Sequence, residues 1–330
     1  MNIALLVASR VMNWPTDQHE NLLRLEGMTA SEILSILEQA RALRDDARGD
    51  ELNGCVVANL FFENSTRTRC SFEMAAVRLG GHPINLTSSG SSVAKGETLV
   101  DTALQFDAMG ADVIVVRSGL NGGAELVAEA CDAAVINAGD GRHEHPTQAL
   151  LDFFVMQAHL GDLSGKRIVI VGDIGNSRVA RSHLHGLRAL GAEVTLVGPP
   201  GMVDDAFLSV LPGEGVRVSH DLDAELSGAD AIMMLRIQRE RGPSAFISSD
   251  YRSQYGMTAQ RASRLSADQI ILHPGPVNRG VELDSIVLDE HPGSVVLEQV
   301  AAGVLVRAAV LLRAVGGGFS SKTVDSQPIT

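Results

Sequence analysis

Short apolar runs recur along the chain, and helical patterns separate them. Each run is rich in Val, Ile, Leu or Ala and is bounded by glycine or polar residues. The runs cover residues 55–62, 113–116, 134–137, 167–171, 193–197, 231–235 and 270–272. Strands of this kind, buried on both faces and alternating with helices, predict an α/β fold of mainly parallel sheets.

The helical patterns repeat their apolar positions at every third or fourth residue. They cover residues 72–79, 96–109, 147–159 and 178–190. The segment Thr29-Ala30-Ser31-Glu32 has the spacing of a capping box and predicts an earlier helix that ends near Arg44. A last pattern, residues 295–315, ends at three glycines, and we expect the polar residues 317–330 to form a mobile tail.

The chain length favours two domains. Its 330 residues are enough for two separate cores. The helical residues 150–159 are followed by Gly161, Ser164 and Gly165, and then a new strand begins. We therefore place a domain boundary near residue 150, with this helix as the bridge, and expect the last helix to fold back on the first domain.

Polar residues follow six of the predicted strands directly. These segments are residues 63–69, Arg117, 138–148, 172–173, 236–238 and 273–276. In open parallel sheets, ligands bind beyond the carboxyl ends of the strands. Two domains whose strand ends face each other would form one binding site between them.

Composition excludes several classes of protein. No apolar run approaches the roughly 20 residues that span a bilayer. The first residues lack the basic start and cleavage site of a signal peptide, so we expect a buried strand or an ordered arm there. The net charge of −13 argues against nucleic-acid binding, although clustered arginines could still bind a small anion.

Cysteine and histidine usage also limits the chemistry. Cys55, Cys70 and Cys131 form no CxxC pair and are odd in number, which fits a reducing cytoplasm. No set of the ten histidines has the spacing of a zinc site. We therefore expect no metal.

The segment Ser65-Thr66-Arg67-Thr68-Arg69 has the features of a phosphate site. It follows an apolar strand and precedes a helical stretch. A helix start offers free backbone N–H groups and a positive dipole end, and here hydroxyls and guanidiniums are added. A plain helix cap with solvated arginines is the alternative, and Glu63 could pair with either arginine.

A histidine loop is the second strong candidate. His145 and Gln148 lie at positions i and i+3 of a predicted helix start, so both can face a ligand there. A neutral imidazole could donate a hydrogen bond to a carbonyl oxygen. A helix cap with a satisfied histidine is the alternative.

The other candidates are weaker when each is taken alone. They are Lys95 in a polar loop, Arg117 at a strand end, Arg178 at a helix start, the alternating residues 236–241, and the rigid turn His273-Pro274-Gly275-Pro276. An exposed lysine, solvated charges and a simple turn are the corresponding alternatives. Gly172–Gly175 is only a weak dinucleotide signal, because the third glycine of the motif is missing.

Taken in order, these segments resemble the aspartate/ornithine carbamoyltransferase family, from about Leu60 to about Gly303. The motifs are STRTR at 65–69, KGET at 95–98, NAGDG at 137–141, HPTQ at 145–148 and HPGPVNRG at 273–280. The ornithine enzymes carry an HCLP motif and an SMG loop, and this chain has neither. Together with Arg236-Ile237-Gln238, this favours the aspartate branch of the family.

The resemblance implies a role for each matching residue. Ser65, Thr66, Arg67 and Thr68 would hold the phosphate of carbamoyl phosphate. Arg117, His145 and Thr68 would polarise its carbonyl, and Gln148, Gly275 and Pro276 would hold its nitrogen. Arg178, Arg236 and Gln238 would bind the carboxylates of L-aspartate. Ser91 and Lys95 would reach into the site of a neighbouring subunit.

The resemblance also implies an organisation. It predicts a cytoplasmic homotrimer that needs no cofactor and makes N-carbamoyl-L-aspartate for pyrimidine biosynthesis, with the active site between two domains and at a subunit interface. Residues 1–149, with the helix 294–316, would bind carbamoyl phosphate, and residues 150–293 would bind aspartate. The trimer could belong to a larger assembly with a regulatory chain or a dihydroorotase.

Three other hypotheses remain open. The chain could carbamoylate a different amine, or it could be an inactive partner of another pyrimidine enzyme. It could also be a nucleotide-binding oxidoreductase that uses Gly172–Gly175. The full set of arginines with His145 and Lys95 argues against the inactive partner, and the missing glycine argues against the oxidoreductase.

Overall fold

The computed structural model describes residues 19–87, 96–203, 215–237 and 250–316. Within them, two parallel sheets account for all the strands. The first has the order β2-β1-β3-β4 and the second has the order β7-β6-β5-β8-β9. The strands are β1 (Val56–Phe61), β2 (His82–Thr87), β3 (Val113–Ser118), β4 (Ala134–Asp140), β5 (Arg167–Val171), β6 (Glu193–Val197), β7 (Val216–Ser219), β8 (Ala231–Met234) and β9 (Ile270–Leu272).

Helices flank both sheets. They are α1 (Ala30–Asp46), α2 (Thr66–Arg78), α3 (Leu99–Ala108), α4 (Gly123–Ala130), α5 (Pro146–Leu160), α6 (Arg178–Ala189), α7 (Leu222–Leu226), α8 (Tyr251–Tyr255), α9 (Ala259–Ala262), α10 (Ser285–Glu290) and α11 (Val296–Ala314). The predicted α/β fold with two mainly parallel sheets is confirmed.

The apolar pattern does not reveal two of the edge strands. The seven predicted strands are present, but β2 and β7 were not predicted. Both lie at sheet edges, and neither contains a fully buried residue. A strand that buries little needs few apolar side chains, so its sequence resembles a loop.

Helices α5 and α11 connect the two halves of the molecule. The first eleven residues of α5 are all buried, and α11 packs against α1, α2 and α5. One apolar cluster runs from Ile136 of β4 through Phe153 of α5 to Ile168 of β5. The boundary near residue 150 stays a prediction.

Two further predictions concern the ends of the chain. The N-terminal arm and the tail 317–330 lie outside the described residues.

Among the described helices, none is both long and apolar enough to cross a membrane.

Candidate active site

The carboxyl ends of both sheets line one cleft of about 1230 Å³. Most of the predicted site residues meet there. Those on its wall are Ser65, Thr66, Arg67, Thr68, Arg117, His145, Gln148, Arg178, Arg236, Gly275 and Pro276. Three others, Ser91, Lys95 and Gln238, lie outside the described residues.

The start of α2 forms one end of the cleft. Ser65 is the N-cap residue, yet its hydroxyl makes no capping hydrogen bond. The first turn has no acidic residue, so the positive dipole end and the first N–H groups are not neutralised there. Thr68 is buried in that turn, whereas Arg69 forms an ion pair of 3.6 Å with Glu73 along the helix. Residues 65–68 thus present donors to an anion, and Arg69 is not on the cleft wall.

A glycine in the second half of the molecule makes room for Arg67. Gly275 has φ +65°, and a Cβ placed on it would lie 2.9 Å from Cζ of Arg67. Only glycine combines this backbone conformation with such a close approach. The Arg67 guanidinium therefore packs across the cleft on the turn that follows β9, and the Gly275–Pro276 peptide bond in that turn is cis.

Arg117 and Arg178 converge on Glu63. The pairing of Phe61 with Arg117 places this arginine beside the end of β1. Both Nη atoms of Arg178 donate to Oε2 of Glu63 at 3.0 Å, and Nε of Arg117 lies 3.8 Å from the same oxygen. Gly139, with φ +113°, lets both guanidiniums pass, since a Cβ there would lie 3.1 Å from each. One carboxylate thus orients two cations toward the cleft.

His145 is a buried histidine held in its neutral form. It precedes Pro146 at the start of α5, and its backbone N–H donates to Oγ of Ser182 at 2.8 Å. Burial lowers its pKa well below the ordinary value, and the charges of Arg117 and Arg178 lower it further. Its Nδ1 has no hydrogen-bond partner within the described part of the chain. A neutral ring can donate from one nitrogen, as predicted, but it is a poor base.

The loop before His145 is fixed by a buried aspartate. Asp140 accepts hydrogen bonds from the N–H groups of Gly122 and Glu144 and from the side chain of Asn137. His143 lies 3.0 Å from it. Burial acts to raise the pKa of Asp140, but the hydrogen bonds from His143 and Asn137 outweigh it, so the pKa is lowered. The side chains of Glu125, Asp140 and His143 lie close enough together to ligate a metal ion. Both carboxylate oxygens of Asp140, however, already accept hydrogen bonds from the protein.

Positive charges face one another across the cleft. Partial burial and the nearby charge of Arg236 lower the pKa of Arg67. Arg307 of α11 also lines the cleft and is only 4% exposed. Burial lowers its pKa to about 10. Cations that destabilise each other in this way gain most when an anion binds between them.

Arg307 was not among the residues predicted for the site. It stands in the apolar run VLVRAAVLL, where a single arginine resembles a side chain that extends its charge to solvent. Here the guanidinium instead lies 5.3 Å from the centre of the Phe72 ring, and Nη1 donates to the Gly303 carbonyl at 3.2 Å. The sequence feature that could have identified Arg307 is its position on the buried face of the predicted helix.

Family models match nearly the whole described chain. Residues 20–158 match the carbamoyl-P binding domain of aspartate/ornithine carbamoyltransferases. Residues 164–314 match the Asp/Orn binding domain of the same family.

Individual relatives agree with this match. The chain is 47% identical to an aspartate carbamoyltransferase catalytic subunit from Corynebacterium urealyticum, covering 93% of this chain and 99% of the relative. It is 50% identical to the corresponding subunit from Myxococcus xanthus, with 88% and 98% covered. A solved aspartate transcarbamoylase from Trypanosoma cruzi, in complex with carbamoyl aspartate and phosphate, is 29% identical and superposes with a TM-score of 0.82 over 90% of this chain and 96% of that one.

Proposed function

Because the chain belongs to the aspartate/ornithine carbamoyltransferase family, we propose that it transfers the carbamoyl group of carbamoyl phosphate to L-aspartate. The products are N-carbamoyl-L-aspartate and phosphate. The observation that carries the proposal is the cleft, where arginines from both sheets face an uncapped helix start and a neutral histidine. The related T. cruzi enzyme was solved with the same two products.

The start of α2 is the phosphate site in this proposal. Ser65 and Thr66 supply hydroxyls and N–H groups, Thr68 a hydroxyl, and Arg67 a planar fork that can bind two phosphate oxygens at once. The missing acidic residue in the first turn leaves the dipole free to favour the dianion. As phosphate leaves, the same groups hold its growing charge.

Arg117 and His145 polarise the carbonyl. Its oxygen gains negative charge when the amine attacks, and donors fixed in advance stabilise that charge. Each such donor contributes ~3 kcal/mol to transition-state stabilisation. The lowered pKa of His145 makes the ring a donor rather than the general base. In this proposal the departing phosphate accepts the proton of the amine.

Aspartate binds on the side formed by the second sheet. Arg178 and Arg236 line the cleft there, and their guanidiniums suit the two carboxylates. Gln238 is assigned to the same site by resemblance. Holding the amine near the carbonyl carbon is worth roughly 7–11 kcal/mol of the barrier, so no covalent intermediate with the enzyme is required.

The remaining features are carried over from the family resemblance. The active unit is a homotrimer in which Ser91 and Lys95 of one subunit complete the site of the next. It works in the cytoplasm, without a cofactor, at an early step of pyrimidine biosynthesis. The proposed larger assembly adds a regulatory chain or a dihydroorotase to this trimer.

Acceptor specificity tests the aspartate assignment. The purified chain is supplied with carbamoyl phosphate and, in turn, with L-aspartate, L-ornithine and other amino acids. We expect kcat/KM to be highest for aspartate by several orders of magnitude. A preference for ornithine or another amine would show that the family is right and the acceptor wrong.

Arg236 gives the matching variant test. Arg236→Ala removes charged hydrogen bonds worth ~1.5–3 kcal/mol, so the KM for aspartate should rise roughly 10- to 100-fold. Arg279→Ala is the control, because Arg279 pairs with Asp289 on the surface. An unchanged aspartate KM in Arg236→Ala would remove this arginine from the aspartate site.

A further inference from the structure

A fully buried aspartate lies directly behind the cleft wall. Asp152 is one turn after Gln148 on α5 and is 0% exposed. Both of its oxygens accept from Nε2 of Gln148, at 3.1 and 3.2 Å. Nε2 of Gln299 donates to Oδ1 at 2.6 Å, and Nε2 of His183 lies 3.0 Å from Oδ2. Three polar side chains thus surround the carboxylate, and it is not on the cleft wall.

This contact decides which end of the Gln148 amide faces the cleft. A glutamine amide has one donor end and one acceptor end, and a carboxylate can only accept. The NH₂ group of Gln148 must therefore face Asp152. Gln148 also lines the cleft, so its carbonyl oxygen is the atom left for a ligand.

The same carboxylate orients a second glutamine. Because Nε2 of Gln299 donates to Asp152, its Oε1 accepts the backbone N–H of His273 at 2.9 Å. His273 begins the turn that carries Gly275 and Pro276. One buried carboxylate therefore fixes both the amide of Gln148 on α5 and the turn after β9.

We propose that Asp152 is a positioning residue that makes the cleft select a carbonyl carrying an amino group. It does so by holding the Gln148 oxygen, an acceptor, where the carbamoyl NH₂ binds. The proposal rests on the proposed function, since it assumes that carbamoyl phosphate binds in this cleft. An NH₂ group would donate to that oxygen, whereas a methyl group would leave the buried acceptor unpaired.

A pair of stable ligands isolates this selectivity. Phosphonoacetamide mimics carbamoyl phosphate, and acetonylphosphonate differs from it only by CH₃ in place of NH₂. Both share the phosphonate and the carbonyl, so the ratio of their dissociation constants reports the amino group alone. Calorimetry on the full chain gives this ratio for each variant, and a general loss of structure would weaken both ligands equally.

Four variants test the role. Asp152→Leu should reduce the preference for phosphonoacetamide by roughly 3- to 10-fold, the range for one lost hydrogen bond. Asp152→Asn should retain the preference, because its oxygen can replace Oδ1, which accepts from both glutamines. Gln148→Leu should reduce the preference by a similar factor, since Gly275 and Pro276 are also assigned to the amino group, and adding Asp152→Leu to it should change the ratio no further.

Two results would overturn the proposal. One is an Asp152→Leu variant that binds both ligands more weakly by the same factor. The other is a double variant whose preference for phosphonoacetamide is smaller than that of Gln148→Leu. If Asp152→Leu does not fold, Asp152→Ser replaces it with the same expected ratio. Failure of the proposed function is separate, since wild-type protein would then form no N-carbamoyl-L-aspartate, whatever the ratio of the two ligands.

Discussion

At the residue scale, the arginines and the histidine of the cleft differ in charge. The arginines keep their charge even where burial lowers the pKa, as the value of about 10 for Arg307 shows. His145 loses its charge in the same surroundings, because burial and Arg117 act on it together. The site therefore combines permanent cations with one neutral donor, which suits a reaction that concentrates negative charge on phosphate and carbonyl oxygens.

His145→Ala should separate catalysis from binding. Loss of one oxyanion donor lowers kcat by ~10²–10³-fold. The dissociation constant for carbamoyl phosphate should change far less, because the start of α2 holds the phosphate. His159→Ala is the control, since His159 lies at the far end of α5 and pairs with Glu298. Equal losses in kcat and binding would contradict the role assigned to His145.

The pKa of His145 also predicts a pH profile. Its lowered pKa means that the ring is neutral at its ordinary pKa and above, and becomes charged only at lower pH. The kcat/KM of wild type, which reports the groups of the free enzyme, should therefore show no step near the ordinary pKa of histidine that disappears in His145→Ala. A step there that the substitution removes would indicate that His145 titrates as a general base.

At the element scale, the turn after β9 brings the two halves of the site together. The Arg67 guanidinium packs closely on Gly275 of this turn. The backbone N–H of His273, the first residue of the turn, donates to Gln299 of α11. A turn from the second half thus limits where a phosphate-binding arginine from the first half can go. Bulk in this turn should disturb substrate binding more than folding.

Gly275→Ala tests that contact. The new methyl group would lie 2.9 Å from Cζ of Arg67, so the guanidinium must move and the KM for carbamoyl phosphate should rise about 10-fold. Gly280→Ala is a matched control, because Gly280 has φ +75° but open space around it. Both variants should lose ~1–2 kcal/mol from backbone strain. Equal changes in the KM for carbamoyl phosphate in Gly275→Ala and Gly280→Ala would show that the contact between Gly275 and Arg67 does not control substrate binding.

Sequence patterns predicted those elements and residues whose role is local. The start of α2 was predictable because hydroxyls and arginines follow a strand directly, and Arg117 because it ends an apolar run. Asp152 and Arg307 were not, because each stands between apolar neighbours on its helix. Their importance depends on partners more than 100 residues away, such as Gln299 for Asp152. Edge strand β2 was missed for a related reason, since it buries too little to leave an apolar pattern.

At the scale of the whole molecule, the charge of the cleft is opposite in sign to the net charge of the chain. The chain carries a net charge of −13, yet its cleft collects Arg67, Arg117, Arg178 and Arg236. An acidic surface with one cationic cleft favours small anions over nucleic acid. In our proposal, Lys95 of a neighbouring subunit completes this cleft.

Mixing two inactive variants tests the shared site. Lys95→Ala and His145→Ala homotrimers should each be nearly inactive. After the subunits are dissociated together and reassembled, some sites combine a native Lys95 with a native His145, and we expect a substantial part of the wild-type activity to return. No recovery from confirmed mixed trimers would contradict the assignment of Lys95 to the neighbouring site.

The most direct test of the central claim is product formation by the pure chain. Carbamoyl phosphate labelled with ¹³C is incubated with L-aspartate, and N-carbamoyl-L-aspartate and phosphate are both quantified. We predict that the two products form in equal amounts, and that Arg67→Ala abolishes both. Release of phosphate without N-carbamoyl-L-aspartate, or no turnover of a folded trimer, would contradict the account.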